Sequence, residues 1–194
     1  MIALVMAGGK GTRMNLNGEK LLLKYKNHVI SHVIESLTSS KRFSRILAAT
    51  SCNAPKTKEM LENIGIETID TSGNGYVEDL NSVLQSLEDV VFVTSGDLPL
   101  LDAQIISELA DQHNSKNIWT SFLVTNKFLK GLGIKSENSI SFENQDCHFT
   151  GISLVNSKHI ESLDNIQEHF IINDDKRIAL NLNTKYDYDL LGTT

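Results

Sequence analysis

The sequence has little that would tie it to a nucleic acid, a membrane or an oxidising compartment. Its 194 residues carry 18 Lys and Arg against 24 Asp and Glu, a formal net charge of −6. With no basic excess there is no electrostatic footprint for nucleic acid or for an acidic lipid surface. Only two cysteines occur, Cys52 and Cys147. They lie far apart and fit neither a CxxC pair nor a Cys/His metal spacing. That excludes a disulfide scaffold and predicts a reducing, cytoplasmic setting. No apolar run approaches the ~20 residues of a membrane span, so no integral membrane segment is expected. The apolar start, Met1 to Met6, has no basic stretch before it and runs straight into glycines, which argues against a signal peptide. There is no internal repeat and no low-complexity tract.

What is present is an ordinary globular composition, 40% hydrophobic and 22% charged. The length predicts one domain over 1–194. Ile2 to Met6 reads as a strand buried on both faces. Val29, Val33, Ile34 and Leu37 have helical spacing. A strand over Arg45 to Thr50 follows, then a helix opened by Pro55, which a first helical turn tolerates. A third strand lies within Ile64 to Asp70. Val77, Leu80, Val83, Leu84 and Leu87 mark a helix face. Val90 to Thr94 is a fourth strand, and a helix from about Asp102 to His113 comes next, with Asp102 placed as its cap. This alternation predicts an α/β fold whose mostly parallel sheet is covered by helices on both faces. Strands are also expected at Ile118 to Thr125, His148 to Val155 and Ile178 to Asn183. Helices are expected near Ser157 to Leu163 and Thr184 to Leu191. The polar stretch from Asn126 to Gln145 reads as a loop or lid.

In such sheets ligands bind outside the carboxyl ends of the strands. Three loops there carry chemistry, and they are expected to converge in one crevice. The first is Ala7-Gly8-Gly9-Lys10-Gly11-Thr12-Arg13-Met14, with Lys20 beyond it. Its glycines let a backbone approach a ligand closely, and successive N–H groups can form an anion nest. Lys10, Arg13 and Lys20 add positive charge to an acidic chain, a combination that suits a triphosphate. Neither a P-loop nor a dinucleotide fingerprint fits this spacing. The second is Ser95-Gly96-Asp97-Leu98-Pro99. Here a lone carboxylate ends a strand opposite the nest, a natural Mg²⁺ ligand shared with substrate phosphates and water. The third is Asp70-Thr71-Ser72-Gly73-Asn74-Gly75-Tyr76-Val77-Glu78-Asp79. Glu78 or Asp79 could accept hydrogen bonds from a guanine edge; the pattern does not choose between them. His28 and His32 have i,i+4 spacing but no third metal ligand. Trp119 and Phe122 read as core.

Ala7-Gly8-Gly9-x-Gly11-Thr12-Arg13-Met14 with Glu19-Lys20 resembles the signature of nucleotidyltransferases that use a nucleoside triphosphate. Gly96-Asp97-Leu98-Pro99 resembles their metal-binding segment. Asn181-Leu182-Asn183-Thr184 with Asp187 and Leu190 resembles an element near the end of that domain. Leu21 stands where many relatives have proline. The string Ile69 to Asn81, with Ala49-Thr50-Ser51 and Pro55 to Glu59, is similar to archaeal guanylyltransferases acting on a corrinoid phosphate. The resemblance implies a three-layer, Rossmann-like nucleotidyltransferase fold. It implies transfer of GMP from GTP to adenosylcobinamide phosphate, with pyrophosphate leaving and Mg²⁺ as cofactor. Arg13, Lys20 and Asp97 would be catalytic. Ala7, Gly8, Gly9, Gly11, Thr12, Arg13, Lys20, Thr71, Gly75, Glu78 and Asp79 would hold the nucleotide. Gly151, starting a strand, would face the acceptor. Asp97 would bind the metal, with Asn183 a candidate second ligand. Other readings are a related transferase for a molybdopterin or sugar phosphate, or a GTP-binding module without turnover.

Overall fold

The computed structural model describes residues 1–11, 14, 18–135, 139–160 and 166–193. The elements, in chain order, are β1 (Ile2–Met6), β2 (Lys24–Tyr25), β3 (Asn27–His28), α1 (Val29–Ser40), β4 (Arg45–Ser51), α2 (Pro55–Asn63), β5 (Glu67–Thr71), α3 (Tyr76–Leu84) and β6 (Val90–Ser95). They continue with α4 (Ala103–Ala110), β7 (Trp119–Thr125), α5 (Asn126–Gly131), β8 (Ile140–Phe142), β9 (Gln145–Asn156), β10 (Glu168–Ile172), α6 (Lys176–Ala179) and α7 (Lys185–Leu190).

One eight-stranded sheet runs in the order β10-β7-β9-β6-β1-β4-β5, with β8 paired to β9. β1 lies parallel between β4 and β6, and β5 extends that parallel set. β9 runs antiparallel to β6, β7 and β8, while β10 is parallel to β7. The sheet is therefore mixed but mostly parallel. A small hairpin joins β2 and β3.

The apolar run of β1 is continuous because both sheet faces are covered. Ala3 and Val5 point to one core with Phe92 and Phe122, closed by Ile30, Val33 and Leu37 of α1 and by Ile105, Ile106 and Leu109 of α4. Ile2 and Leu4 point to the other with Val91 and Val93, closed by Leu80, Val83 and Leu84 of α3. Pro55 sits in the first turn of α2, as expected. The Asp102 carboxylate accepts from the Ile105 N–H and caps α4, also as expected.

Several expectations need correction. Val77 is 67% exposed. It lies in the first turn of α3, ahead of the Leu80, Val83 and Leu84 stripe that meets the sheet. Ile178 to Asn183 is not a strand. Asp175 caps the short α6 there, and the following segment is extended but pairs with no strand among the described residues. Its period-two pattern reflects the burial of Ile178, Leu180 and Leu182 against the body of the protein, not a ladder. The stretch from 126 to 145 is not a lid loop. It begins as α5, capped by Thr125, and continues into the β8–β9 hairpin. The helix expected near Ser157 is a single 3-10 turn, Ser157–His159, and residues 161–165 lie outside the described set. The edge strand β10 was not anticipated, because Glu168-His169-Phe170-Ile171-Ile172 is short and its apolar residues do not alternate cleanly. Both cysteines are free, Cys52 exposed and Cys147 buried.

Candidate active site

The three loops do meet. A cleft of about 570 Å³ opens at the carboxyl ends of β1, β4, β5 and β6. Gly8, Gly9, Lys10 and Gly11 form one wall, Thr71 to Tyr76 face them, and Lys20, Ser95 and Asp97 lie at the floor. The far rim comes from the second half of the chain: Phe149, Gly151, Asn181 and Asn183. Thr12 and Arg13 lie outside the described residues. Ala7 does not line the cleft. It is 1% exposed, and its N–H donates to the Ala49 carbonyl, so it anchors the glycine turn from below.

Asp97 is the electrostatic centre. It is 5% exposed at the end of β6. The Lys20 ammonium donates to one of its oxygens at 2.5 Å. Ser95 Oγ and Asn181 Nδ2 donate to the other, at 2.6 and 3.1 Å. Burial by itself would raise the Asp97 carboxyl. The Lys20 charge and these three hydrogen bonds outweigh burial and hold the group below the usual carboxylate range, so it is ionised at neutral pH. Lys20 also donates to Asn183 Oδ1 at 3.4 Å. The segment bearing Asn181 and Asn183 is fixed twice. Leu182 N–H donates to the Asp97 carbonyl, and Asp187 Oδ2 accepts from the N–H groups of Asn183 and Thr184 in a capping box.

The donor set suits a cation brought in with a substrate. Among the described residues no group of three or more His, Cys, Asp and Glu could hold a metal alone. One ionised, buried carboxylate beside the amide oxygen of Asn183 matches a Mg²⁺ ion that takes one or two protein oxygens and completes its shell with phosphate and water.

The structure separates Glu78 from Asp79. Glu78 stays off the cleft, and Asn74 Nδ2 donates to it at 3.3 Å. Asp79 lines the cleft and is 6% exposed. Its Oδ1 accepts from Gly73 N–H at 2.9 Å and Ser72 Oγ at 3.0 Å, which shapes the glycine turn. Gly75 and Thr71 line the same wall, with Thr71 Oγ1 donating to the Thr50 carbonyl.

Gly151 does not start a strand but lies inside β9, with φ +78, a conformation that glycine adopts freely. A Cβ there would stand 3.2 Å from Ser95 Cβ and 3.5 Å from Asn181 Nδ2, two of the three residues whose side chains donate to Asp97. A side chain at this position would be strained by the backbone and would press on Ser95, one of the partners of Asp97. Sequence reasoning missed Ser51 and Asn53, which lie behind the glycine loops. Ser51 Oγ donates to the Gly8 carbonyl at 2.7 Å, and Asn53 Nδ2 to the Gly73 carbonyl at 3.0 Å. The signals were the place of Ser51 at the end of β4 and of Asn53 just beyond it, and the presence of Ser51 in the Ala49-Thr50-Ser51 string of the resemblance. It also gave no role to Phe149, 49% exposed at the cleft rim.

Residues 3–129 match the family model of the MobA-like NTP transferase domain. The chain is 44% identical over 117 residues to an adenosylcobinamide-phosphate guanylyltransferase of Methanocaldococcus jannaschii, covering 57% of this chain and 59% of that one. It is 30% identical over 119 residues to a probable molybdenum cofactor guanylyltransferase of Thermococcus sibiricus, covering 60% and 58%. The matched region spans less than two thirds of either relative. Among solved structures, a hypothetical transferase from Thermus thermophilus superposes with TM-score 0.71 at 15% identity, covering 96% of this chain and 98% of that one. A nucleotidyl transferase from a Methanothermobacter superposes with TM-score 0.68 at 14% identity, covering 100% and 98%. At that identity they show the fold, which is the Rossmann-like α/β arrangement expected.

Proposed function

The chain belongs to the MobA-like NTP transferase domain family, and on that premise we propose that it transfers GMP from GTP to adenosylcobinamide phosphate, releasing pyrophosphate. The observation that carries this is the ionised Asp97, paired with Lys20 and facing a glycine wall at the strand ends. The identity to the corrinoid-phosphate guanylyltransferase supports the acceptor. An acceptor phosphate is already anionic, so no strong general base is required. Catalysis then rests on positioning and on neutralising charge. The N–H groups around Gly8, Gly9 and Gly11 suit the β- and γ-phosphates, and Lys20 suits charge on the leaving pyrophosphate. Arg13 is assigned the same task by its place in the signature. Asp97 and Asn183 would hold a Mg²⁺ ion bound with the triphosphate, which would neutralise phosphate charge.

Asp79 is the better guanine reader of the two acids. Its Oδ1 is engaged in the turn, and its Oδ2 remains to accept from a base edge. For the acceptor, the rim supplies an apolar surface. The rings of Phe149 and Phe170 lie edge to face at 6.0 Å, and Phe142 and Phe170 at 5.3 Å, forming an aromatic strip leading away from the cleft. A broad, flat ring system with a phosphate arm would lie over it, its phosphate directed at Asp97 and Lys20. Gly151 lines the cleft together with Phe149 and Asp97.

The second reading is a molybdopterin acceptor, supported by the Thermococcus sibiricus relative. Incubation with GTP, Mg²⁺ and separate corrinoid-phosphate, pterin-phosphate and sugar-phosphate acceptors, read by mass spectrometry, distinguishes them. A guanylylated corrinoid supports the first reading. A guanylylated pterin alone replaces it, and no product with any acceptor leaves a binding module.

A further inference from the structure

Helix α2 begins without a cap of its own. Its N-cap residue is Ala54, which has no side-chain acceptor for the first-turn N–H groups. Pro55, at the first helical position, has no N–H to satisfy. The next two N–H groups, of Lys56 and Thr57, need partners. Both find one in Glu19, which is remote in sequence. Its Oε1 accepts from Lys56 N at 2.8 Å and its Oε2 from Thr57 N at 2.6 Å. A carboxylate spread across two N–H groups at a helix N-terminus is a charge-assisted contact favoured by the helix dipole.

Glu19 immediately precedes Lys20, and the two side chains are held at opposite ends of one short link. Glu19 is fixed to α2. Lys20 reaches Asp97. The same β4–α2 turn also holds the other two walls of the cleft, because Ser51 takes hold of Gly8 and Asn53 of Gly73. One turn, from Ser51 to Thr57, thus anchors the glycine loop, the base-side loop and the lysine loop.

We propose that Glu19 is a positioning residue of the transfer reaction: by capping α2 from a distance, it sets where Lys20 stands relative to Asp97. The proposal rests on the nucleotidyltransferase reading of the cleft. Glu19 touches neither nucleotide wall and acts only through Lys20. A misplacement of about 1 Å in a catalytic group can cost on the order of 10²-fold in rate.

A merely structural cap would be replaceable in place, and the test uses that. Ala54→Ser puts a hydroxyl at the N-cap of α2, where it can accept from Thr57 N–H and restore the helix end. It does not restore the link to residue 19. Glu19→Ala, Ala54→Ser and the double variant are compared with the wild type in the full chain. Three quantities are read: thermal midpoint, the rate at which an amine-acylating reagent labels Lys20 without substrate, and pyrophosphate release with GTP, Mg²⁺ and the acceptor that the wild type uses. In the double variant the midpoint is expected to return toward wild type. Lys20 labelling is expected to be several-fold faster, and turnover about tenfold to a hundredfold lower, mostly in kcat. Glu19→Gln keeps one acceptor oxygen and should fall between wild type and Glu19→Ala.

Recovery of turnover together with thermal midpoint in the double variant overturns the proposal, since the carboxylate is then only a cap. Wild-type turnover in Glu19→Ala overturns it as well, as does low turnover with Lys20 labelling unchanged. If the wild type releases no pyrophosphate with any acceptor, the nucleotidyltransferase reading itself has failed. That outcome removes the proposal's premise and overturns it by a route distinct from the others.

Discussion

The two halves of the sheet are built on different plans. Among β1, β4, β5 and β6 every pairing is parallel, and the loops that leave these strands form the glycine wall, the 71–76 wall and Asp97. From β7 onward the antiparallel β9 is inserted, its register with β7 shifts between Ser121 and Leu123, and a half-exposed phenylalanine faces the cleft. The family match, residues 3–129, takes in nearly all of the first region and β7 of the second, and stops within α5. In the proposed function the first region serves the nucleoside triphosphate, and the second supplies the rim left for the acceptor together with Asn181 and Asn183, which close on Asp97 and Lys20. A strand inserted against the common direction puts its side chains at the cleft rim without disturbing the parallel strands beside it.

The sharpest test of this division is at Asp97, a residue of the first region that is held from the second by Asn181. Asp97→Asn keeps the shape but removes the charge. Turnover is expected to fall on the order of 10²–10³-fold, as when one electrostatic stabiliser is lost. A thermal melt should show that the protein still folds, since Asn can still accept from Lys20. Wild-type pyrophosphate release in the folded variant would remove Asp97 from the reaction.

A smaller effect is expected within the first region. Asp79→Asn retains the Oδ1 that shapes the glycine turn but replaces the other oxygen by a donor. The preference for GTP over ATP should drop by roughly 1–3 kcal/mol, the cost of a buried unsatisfied group. Glu78→Gln should leave the preference unchanged. Calorimetric titration with each nucleotide checks both; an effect of Glu78→Gln that exceeded that of Asp79→Asn would reverse the assignment.

The smallest effect belongs to the second region. Phe149→Ala should raise the acceptor KM on the order of tenfold, from lost apolar and ring contact. GTP binding should not change. If instead GTP affinity falls while the acceptor KM holds, the two regions do not divide the substrates in this way.

Most of the first region was legible in the sequence. Its central strands β1 and β6 are short apolar runs that lead into glycine turns, and its helices carry regular stripes such as Leu80, Val83 and Leu84. The convergence of its three loops followed from topology alone. The second region was harder. Ile178, Leu180 and Leu182 alternate as a strand would, yet they are buried by a segment with no ladder. Phe170 sits in an edge strand of mixed polarity that gives no periodic signal. The partners of Asp97 were partly hidden for another reason. Ser95 is two residues away, but Lys20 and Asn181 are separated from it by 77 and 84 positions. Spacing in a sequence cannot show which distant side chains will share one carboxylate. Which of Glu78 and Asp79 lines the cleft likewise depends on which one the turn at Gly73 draws inward.

The hold that Asn181 and Leu182 have on Asp97 also places the cleft in time. A ribosome adds residues at about 5–20 per second, so a chain that has just made Asp97 waits roughly 4–17 s before Asn181 exists. During that interval the parallel strands, the glycine turns and the first helices are all available to collapse. The carboxylate at their centre still lacks its amide donor and the backbone contact that pins its carbonyl. β6 is also left with one edge open until β9 arrives. A nascent chain can therefore assemble most of the nucleotide wall well before the cleft is complete. The cleft around Asp97 is complete only once the segment bearing Asn181 and Leu182 has been made.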